Sequence, residues 1–183
     1  MSKIDRLIRS YANYIAVPWR SDAAAAQRVI FCVYTETEEL RLQANIDEFE
    51  IVTRQAGHEW AVFDLTDSFA NWLSSQRYAK SYFEKPHLLH TLLPKYRVYL
   101  SEEFAAFLDE KKIGEESVVA IKGVGSLFGF LKVKEVVDEL APMVQGRLLV
   151  FFPGSYENNN YRLLDGYDGW NYLAVPITAD GEL

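Results

Sequence analysis

Four short apolar runs, separated by longer segments with helical periodicity, dominate the pattern of hydrophobic and polar positions. The runs are VIFCVY (29–34), WAVFDL (60–65), SVVAIK (117–122) and RLLVFF (147–152). Apolar residues on both faces of a run predict a strand that is covered on both sides. Strands that alternate with helices predict an α/β fold, with a mainly parallel sheet and helices on both faces. YRLL and YLAVPI flank two Asp-Gly pairs, which predicts a C-terminal hairpin or edge strand.

The segments between these runs have the spacing of amphipathic helices. Residues 3–16 place Ile4, Leu7, Ile8, Tyr11 and Ile15 on one face. Residues 36–56 fit both an alternating and a helical pattern, and their length favours a helix. Further helices are expected after the second strand (Phe69, Trp72, Leu73), from Pro86, between a Ser101 cap and Gly114, and over Val133–Leu140. No repeat or interdomain linker interrupts the pattern, so we expect residues 1–183 to form one domain.

Composition and charge narrow the function classes. The chain has 26 acidic and 19 basic residues, a net charge of -7. Such a surface disfavours broad contact with a phosphate backbone, although it is compatible with a small basic patch. We therefore expect DNA to be reached only indirectly, through a partner. Cys32 is the single cysteine, which excludes an intrachain disulfide and suits a buried thiol. No signal peptide or bilayer-spanning run is visible, so a soluble cytoplasmic protein without membrane contact is expected.

The glycine turn after the third strand is the first candidate for chemistry. Lys122, Gly123, Gly125 and Ser126 stand where the strand meets the next helix, and ligands of open α/β sheets bind beyond such strand ends. A Walker loop has its Lys after the glycines, however, and here Lys122 precedes them. The GxGxxxG spacing through Gly129 is also one residue longer than the dinucleotide-binding pattern. We favour a tight turn with Ser126 as a helix cap and keep a divergent nucleotide-binding domain as an alternative.

Carboxylates at the strand ends offer a second alternative. Glu36, Asp64 and Asp67 follow the first two strands, where they are candidates for holding Mg²⁺ in a metal-dependent hydrolase or nuclease. A turn in which Asp64 or Thr66 caps the next helix explains the same residues and needs only one oxygen. His87 and His90, three residues apart, make a weak zinc pair. Asp165, Asp168 and Asn171 lack the EF-hand order, and Asp-Gly turns explain them more simply.

Two C-terminal segments together resemble a known family. They are IKGVGSLFGFLKVKEVVDEL (121–140) and LLVFFPGSYENNNYRLLDGYDGWNYLAVPI (148–177), and they are similar to the signature of the BrxB family, a component of BREX bacteriophage-exclusion systems. The first segment matches the family at Lys122, Gly123, Gly125, Ser126, Leu127 and Phe128. The second matches at Phe152, Pro153, Gly154, Arg162, Leu163, Asn171 and Tyr172. Over residues 1–116 the likeness consists of length, an opening amphipathic helix and the order of elements.

The resemblance implies a role in phage defence. The family acts with a large ATPase, a site-specific adenine methyltransferase and a PglZ phosphatase-like protein, in a system that methylates host DNA and blocks replication of unmodified phage DNA. It supplies no catalytic residues to carry over, so we expect a non-enzymatic adaptor without a cofactor. The expected protein interface lies on the strand-end loops and comprises Lys122, Gly123, Gly125, Ser126, Phe128, Pro153, Gly154, Tyr156, Trp170 and Tyr172.

Overall fold

The computed structural model of the protein describes residues 1–170 and 174–182, without the side chains of Trp170 and Glu182. The described residues form seven α-helices: α1 (Lys3–Ile15), α2 (Glu39–Ala44), α3 (Ile46–Gln55), α4 (Ser68–Ser74), α5 (Ala79–Glu84), α6 (Leu93–Glu110) and α7 (Val133–Leu140). They also form eight strands: β1 (Val29–Tyr34), β2 (Glu59–Asp64), β3 (Ser117–Lys122), β4 (Arg147–Glu157), β5 (Asn160–Leu163), β6 (Gly166–Trp170), β7 (Val175–Thr178) and β8 (Gly181–Glu182). Short 3-10 helices lie at Ala25–Arg28, Glu36–Glu38, Pro86–Thr91, Val124–Leu127 and Ala141–Met143.

The main sheet has the order β2-β3-β4-β1-β7-β8. Its first five strands run parallel, and β8 returns antiparallel to β7. β4 leaves the parallel sheet at Pro153, and from Gly154 it pairs antiparallel with β5, which in turn pairs with β6. The predicted α/β class, with a mainly parallel sheet and a C-terminal hairpin, is confirmed. The hairpin joins YRLL to residues 166–170, whereas the later apolar run forms β7 beside β1.

Helices cover both faces of the sheet because successive side chains of a strand point to opposite faces. Phe31 and Val33 of β1 belong to a core with α4, α6 and α7. Ile30 and Cys32 belong to a second core with α1 and α3. The thiol of Cys32 is fully buried, as its apolar neighbours predict.

Two elements differ from the sequence prediction. β2 is not a covered strand: it forms one edge of the sheet, and its residues are half-buried or exposed. Ser101 does not cap a helix, because α6 begins at Leu93 and continues through that position. The Ser101 hydroxyl instead donates a hydrogen bond to Glu139 on α7, at 2.9 Å. Tyr96, Leu100 and Phe104 give α6 one continuous buried face across the expected boundary.

The ambiguous segment 36–56 is helical, as its length predicts, but it is interrupted. Asn45 separates α2 from α3, and its side-chain amide donates to the carbonyl of Arg41 at 2.7 Å. Such side-chain bonds to the backbone compete with helix continuation. None of the helices in the described part of the chain combines the length and apolarity needed to cross a membrane.

Candidate functional site

The carboxyl ends of β1, β2, β3 and β4 meet at one edge of the sheet, because these strands run parallel. A cleft of about 280 Å³ lies there. It is lined by Tyr34, Glu36, Glu39, Thr66, Gly123, Val124, Gly125, Ser126, Pro153 and Leu164. The structure therefore brings together four of the predicted interface residues, Gly123, Gly125, Ser126 and Pro153. This is the position at which open α/β sheets bind ligands.

The Gly123 turn holds two strand ends in close contact. Gly123 has a φ of 79°, a left-handed conformation that glycine adopts without strain. A Cβ atom at this position would lie 2.5 Å from the backbone nitrogen of Thr66. Beside it, the amide of Leu65 donates to the carbonyl of Lys122 at 2.9 Å. Glycine is needed here because the segment after β2 packs directly on the turn.

Polar groups of the turn already have partners within the protein. The Ser126 hydroxyl lies 2.8 Å from the carbonyl oxygens of both Leu65 and Gly123. The amide of Ser126 donates to Gly123, and the amide of Phe128 donates to Gly125, each at 3.1 Å. Ser126 lies inside the 3-10 helix Val124–Leu127, so its predicted role as a helix cap is wrong. The amides of Ser126 and Phe128 are therefore not available to cradle a phosphate.

The N-terminus of α7 is occupied by a carboxylate of the same chain. Asp168 on β6 is almost fully buried and accepts hydrogen bonds from the amides of Val133, at 2.8 Å, and Lys134, at 3.0 Å. A carboxylate in the first turn satisfies unpaired amides and complements the helix dipole. Asp168 therefore takes the place that a phosphate would take. Its Asp-Gly pair lies inside β6 and not in a turn, whereas Asp165 lies in the turn before β6.

The strand-end carboxylates do not converge on a metal site. Asp64 accepts from the amide of Thr66 at 2.9 Å and from its hydroxyl at 2.6 Å, and lies 3.4 Å from the ammonium of Lys122. Burial raises the pKa of Asp64, but these bonds and the Lys122 charge outweigh burial and lower the pKa overall. Among the described residues, no three His, Cys, Asp or Glu side chains come close enough to hold a metal ion. The geometry thus gives no support to a metal site on Glu36, Asp64 and Asp67.

Sequence reasoning missed a tyrosine–carboxylate pair on the wall of the cleft. The hydroxyl of Tyr34, the last residue of β1, donates a short hydrogen bond to the carboxylate of Glu39 on α2. Burial, followed by the hydrogen bond to Glu39, raises the pKa of Tyr34. Gln43 donates to the other oxygen of the same carboxylate at 2.8 Å. The only signal in the sequence is a tyrosine at a strand end, five residues before an acid.

A second surface is formed around Phe128. Among the predicted interface residues with described side chains, Phe128 is the most exposed. Phe128 is 43% exposed, and its ring packs so closely on Gly166 that a Cβ atom there would lie 2.7 Å from a ring carbon. Tyr167 is 50% exposed, with the ammonium of Lys132 5.7 Å from its ring centroid. A cleft of about 270 Å³ lies between them. We call Phe128, Lys132 and Tyr167 the aromatic surface.

The other predicted interface residues lie apart from these two places or outside the description. Gly154 is buried where β4 meets β5, and a Cβ atom there would lie 1.8 Å from the carbonyl oxygen of Arg162. Tyr156 is half-buried and donates to the side chain of Asn159 at 2.8 Å. The side chain of Trp170 and the whole of Tyr172 lie outside the described residues.

Comparison with known proteins identifies the family. A family model described as BREX protein BrxB matches residues 62–176, well over half of the chain. The match contains the glycine turn, α7 and nearly all of the C-terminal segment that suggested the resemblance. Searches of curated proteins and of solved structures give no match. The chain belongs to the BrxB family, and it is a component of BREX phage defence.

Proposed function

We propose that this BREX component is a non-enzymatic adaptor that binds other BREX proteins through the aromatic surface and the adjoining carboxyl-edge loops. The observation that carries the proposal is a contrast within one region. The polar groups that suggested chemistry have partners inside the protein: Lys122 with Asp64, the Ser126 hydroxyl with two carbonyls, and Asp168 with α7. Phe128 and Tyr167, in contrast, leave much of their ring surface uncovered.

The aromatic surface has the composition of a protein-binding hot spot. Large rings bury much apolar area on binding and lose little conformational freedom, and a neighbouring cation adds specificity. The ring of Phe128 is also held in place before binding, because it rests on Gly166. Preorganisation lowers the entropic cost of association.

The partners expected from the family resemblance are the PglZ phosphatase-like protein, the adenine methyltransferase and the large ATPase. The test is affinity capture of the tagged protein from cells that express its whole gene neighbourhood, with the captured proteins identified by mass spectrometry. We expect recovery of at least one of the three. Recovery of the protein alone, from cells in which the neighbours are demonstrably expressed, contradicts the adaptor proposal.

The double variant Phe128→Ala/Tyr167→Ala tests the surface itself. We expect it to lose at least tenfold in partner recovery, because each hot-spot ring contributes about 2 kcal/mol or more. Leu40→Ala is the matched control, since Leu40 is an 86% exposed apolar residue on α2. Thermal melting of each variant establishes that it is folded. Equal recovery by the double variant and the control places the interface elsewhere and contradicts this surface.

The nucleotide alternative is tested separately. We expect ATP and GTP with Mg²⁺, at millimolar concentration, to leave the melting temperature unchanged, because a ligand stabilises a protein only if it binds the folded state. A ligand-dependent rise that Lys122→Met abolishes would assign the glycine turn to nucleotide binding.

A further inference from the structure

The connection between β2 and β3 is longer than the sheet requires. A parallel crossover needs one helix to return the chain to the other end of the sheet. The 18 residues of α6 span about 27 Å, which exceeds the length of either strand. Residues 68–92 come before α6 and add α4, α5 and the 3-10 helix Pro86–Thr91. α4 contributes Trp72 and Leu73 to the core, but within residues 79–91, all of them described, no side chain is fully buried.

One stretch of this connection, residues 68–96, has a net charge opposite to that of the whole protein. Residues 68–96 contain four of the 19 basic residues (Arg77, Lys80, Lys85 and Lys95) but only one of the 26 acidic ones, Glu84. The rest of the chain therefore has 15 basic and 25 acidic residues. All four cations are exposed. Only Lys80 has an ion-pair partner among the described residues, at the long distance of 3.8 Å from Glu84. We call residues 77–95 the basic lobe.

Aromatic side chains alternate with these cations. In RYAKSYFEK (77–85), Tyr78 lies between Arg77 and Lys80, and Phe83 lies between Lys80 and Lys85. Both rings are 58% exposed. The guanidinium carbon of Arg77 lies 5.3 Å from the centroid of the Tyr78 ring, so a cation and a ring already lie together. His87 and His90 are also exposed in this stretch.

We propose that the basic lobe binds single-stranded nucleic acid. Proteins that bind single strands without sequence preference use this combination: cations that contact the phosphates, and exposed rings on which the bases stack. An acidic protein partner would bind these cations equally well, but its binding would not require the exposed rings of Tyr78 and Phe83. The expectation that DNA is reached only through a partner depends on the net charge of the chain. Local charge decides contact with phosphates, and in the basic lobe its sign is reversed.

The first test measures binding and its dependence on charge. Fluorescence anisotropy with labelled oligothymidine of about 20 nucleotides is expected to give a dissociation constant of about 1–100 µM at low salt. Lys80→Gln/Lys85→Gln should weaken binding about tenfold and reduce the slope of log K against log salt by about 1.4. The matched control, Lys3→Gln/Arg6→Gln, removes two exposed charges from α1 and should bind like the wild type.

The second test measures stacking. Tyr78→Ala/Phe83→Ala keeps every charge and should weaken binding of the single strand about tenfold or more, with the salt slope unchanged. Duplex DNA of the same length should bind more weakly than the single strand and should not respond to this variant. Oligouridine in place of oligothymidine shows whether RNA or DNA is preferred. Melting curves establish that each variant is folded.

Three results would overturn the proposal. One is the absence of measurable binding at low salt, and another is binding that both lobe variants and the α1 control weaken equally. The third is a combination of two observations: polyglutamate at equal charge displaces the oligonucleotide, and Tyr78→Ala/Phe83→Ala binds the oligonucleotide as tightly as the wild type. Together they would assign the basic lobe to an acidic protein partner. None of these measurements involves the aromatic surface, so the proposal stands or falls independently of partner capture.

Discussion

Replacing Asp168 tests the contact that fills the N-terminus of α7. Asp168→Ala removes the carboxylate that accepts from the amides of Val133 and Lys134. The loss of an N-terminal cap costs about 1–2 kcal/mol, and a hydrogen bond to a charged group contributes about 1.5–3 kcal/mol. The two bonds share one buried carboxylate and are not additive. We therefore expect Asp168→Ala to lower the free energy of unfolding by about 2–3 kcal/mol.

Urea denaturation measures this change. With an m-value of about 2 kcal/mol/M, the midpoint should fall by about 1–1.5 M. Asp168→Asn keeps the shape and one carbonyl acceptor, so its effect should be smaller than that of Asp168→Ala. Asp165→Ala, in the exposed turn before β6, is the control and should change stability by less than about 0.5 kcal/mol. An Asp168→Ala midpoint equal to that of Asp165→Ala, at an unchanged m-value, would refute the assignment of Asp168 as the cap of α7.

Three further predictions concern the glycine turn, the buried thiol of Cys32 and the pKa of Asp64. Gly123→Ala should lower the free energy of unfolding, measured in urea, by more than about 2 kcal/mol, because the added Cβ would collide with Thr66. Gly129 has a similar φ but open space around it, so Gly129→Ala should lower it by only about 1 kcal/mol. Equal effects of the two variants would contradict the close approach of Thr66 to Gly123. Cys32 is fully buried and burial raises the pKa of its thiol, so Ellman's reagent should react only after unfolding; rapid reaction of the native protein would contradict its burial. NMR titration should find the pKa of Asp64 below that of an ordinary aspartate, and higher in Thr66→Val than in the wild type. A carboxyl whose pKa is lowered in the folded state stabilises the protein at pH values above its unfolded pKa, so this contribution to stability is lost as pH falls through the folded-state pKa.

Three central strands could be predicted because burial on both faces leaves a clear mark in the sequence. β1, β3 and the first part of β4 are apolar at almost every position, and each is covered by helices on both sides. β2 has a similar apolar composition but lies at the sheet edge. Strand order is decided by the path of the whole chain. A run such as Trp60–Phe63 therefore identifies a strand without saying which neighbours it has.

The polar contacts of the candidate site were harder to predict, because their partners are distant in sequence. Asp168 caps a helix that begins 35 residues earlier, and Ser126 bonds a carbonyl 61 residues away, that of Leu65. Local rules place a cap directly before its helix and bond a turn hydroxyl to its neighbours. Ser101 shows the opposite error: a local cap pattern at residues 101–103 had no effect, because the buried face of α6 extends across it. Tertiary packing outweighs such local preferences.

The glycines explain why the chain suggested a nucleotide site. A phosphate-binding loop uses glycine so that a ligand approaches the backbone closely. Here the same property admits parts of the protein: the Thr66 backbone at Gly123, the Arg162 carbonyl at Gly154 and the Phe128 ring at Gly166. A glycine pattern therefore specifies a close approach but not what approaches. The polar groups around it decide that question, and at this edge of the sheet they bind one another, while Phe128, packed on Gly166, remains partly exposed.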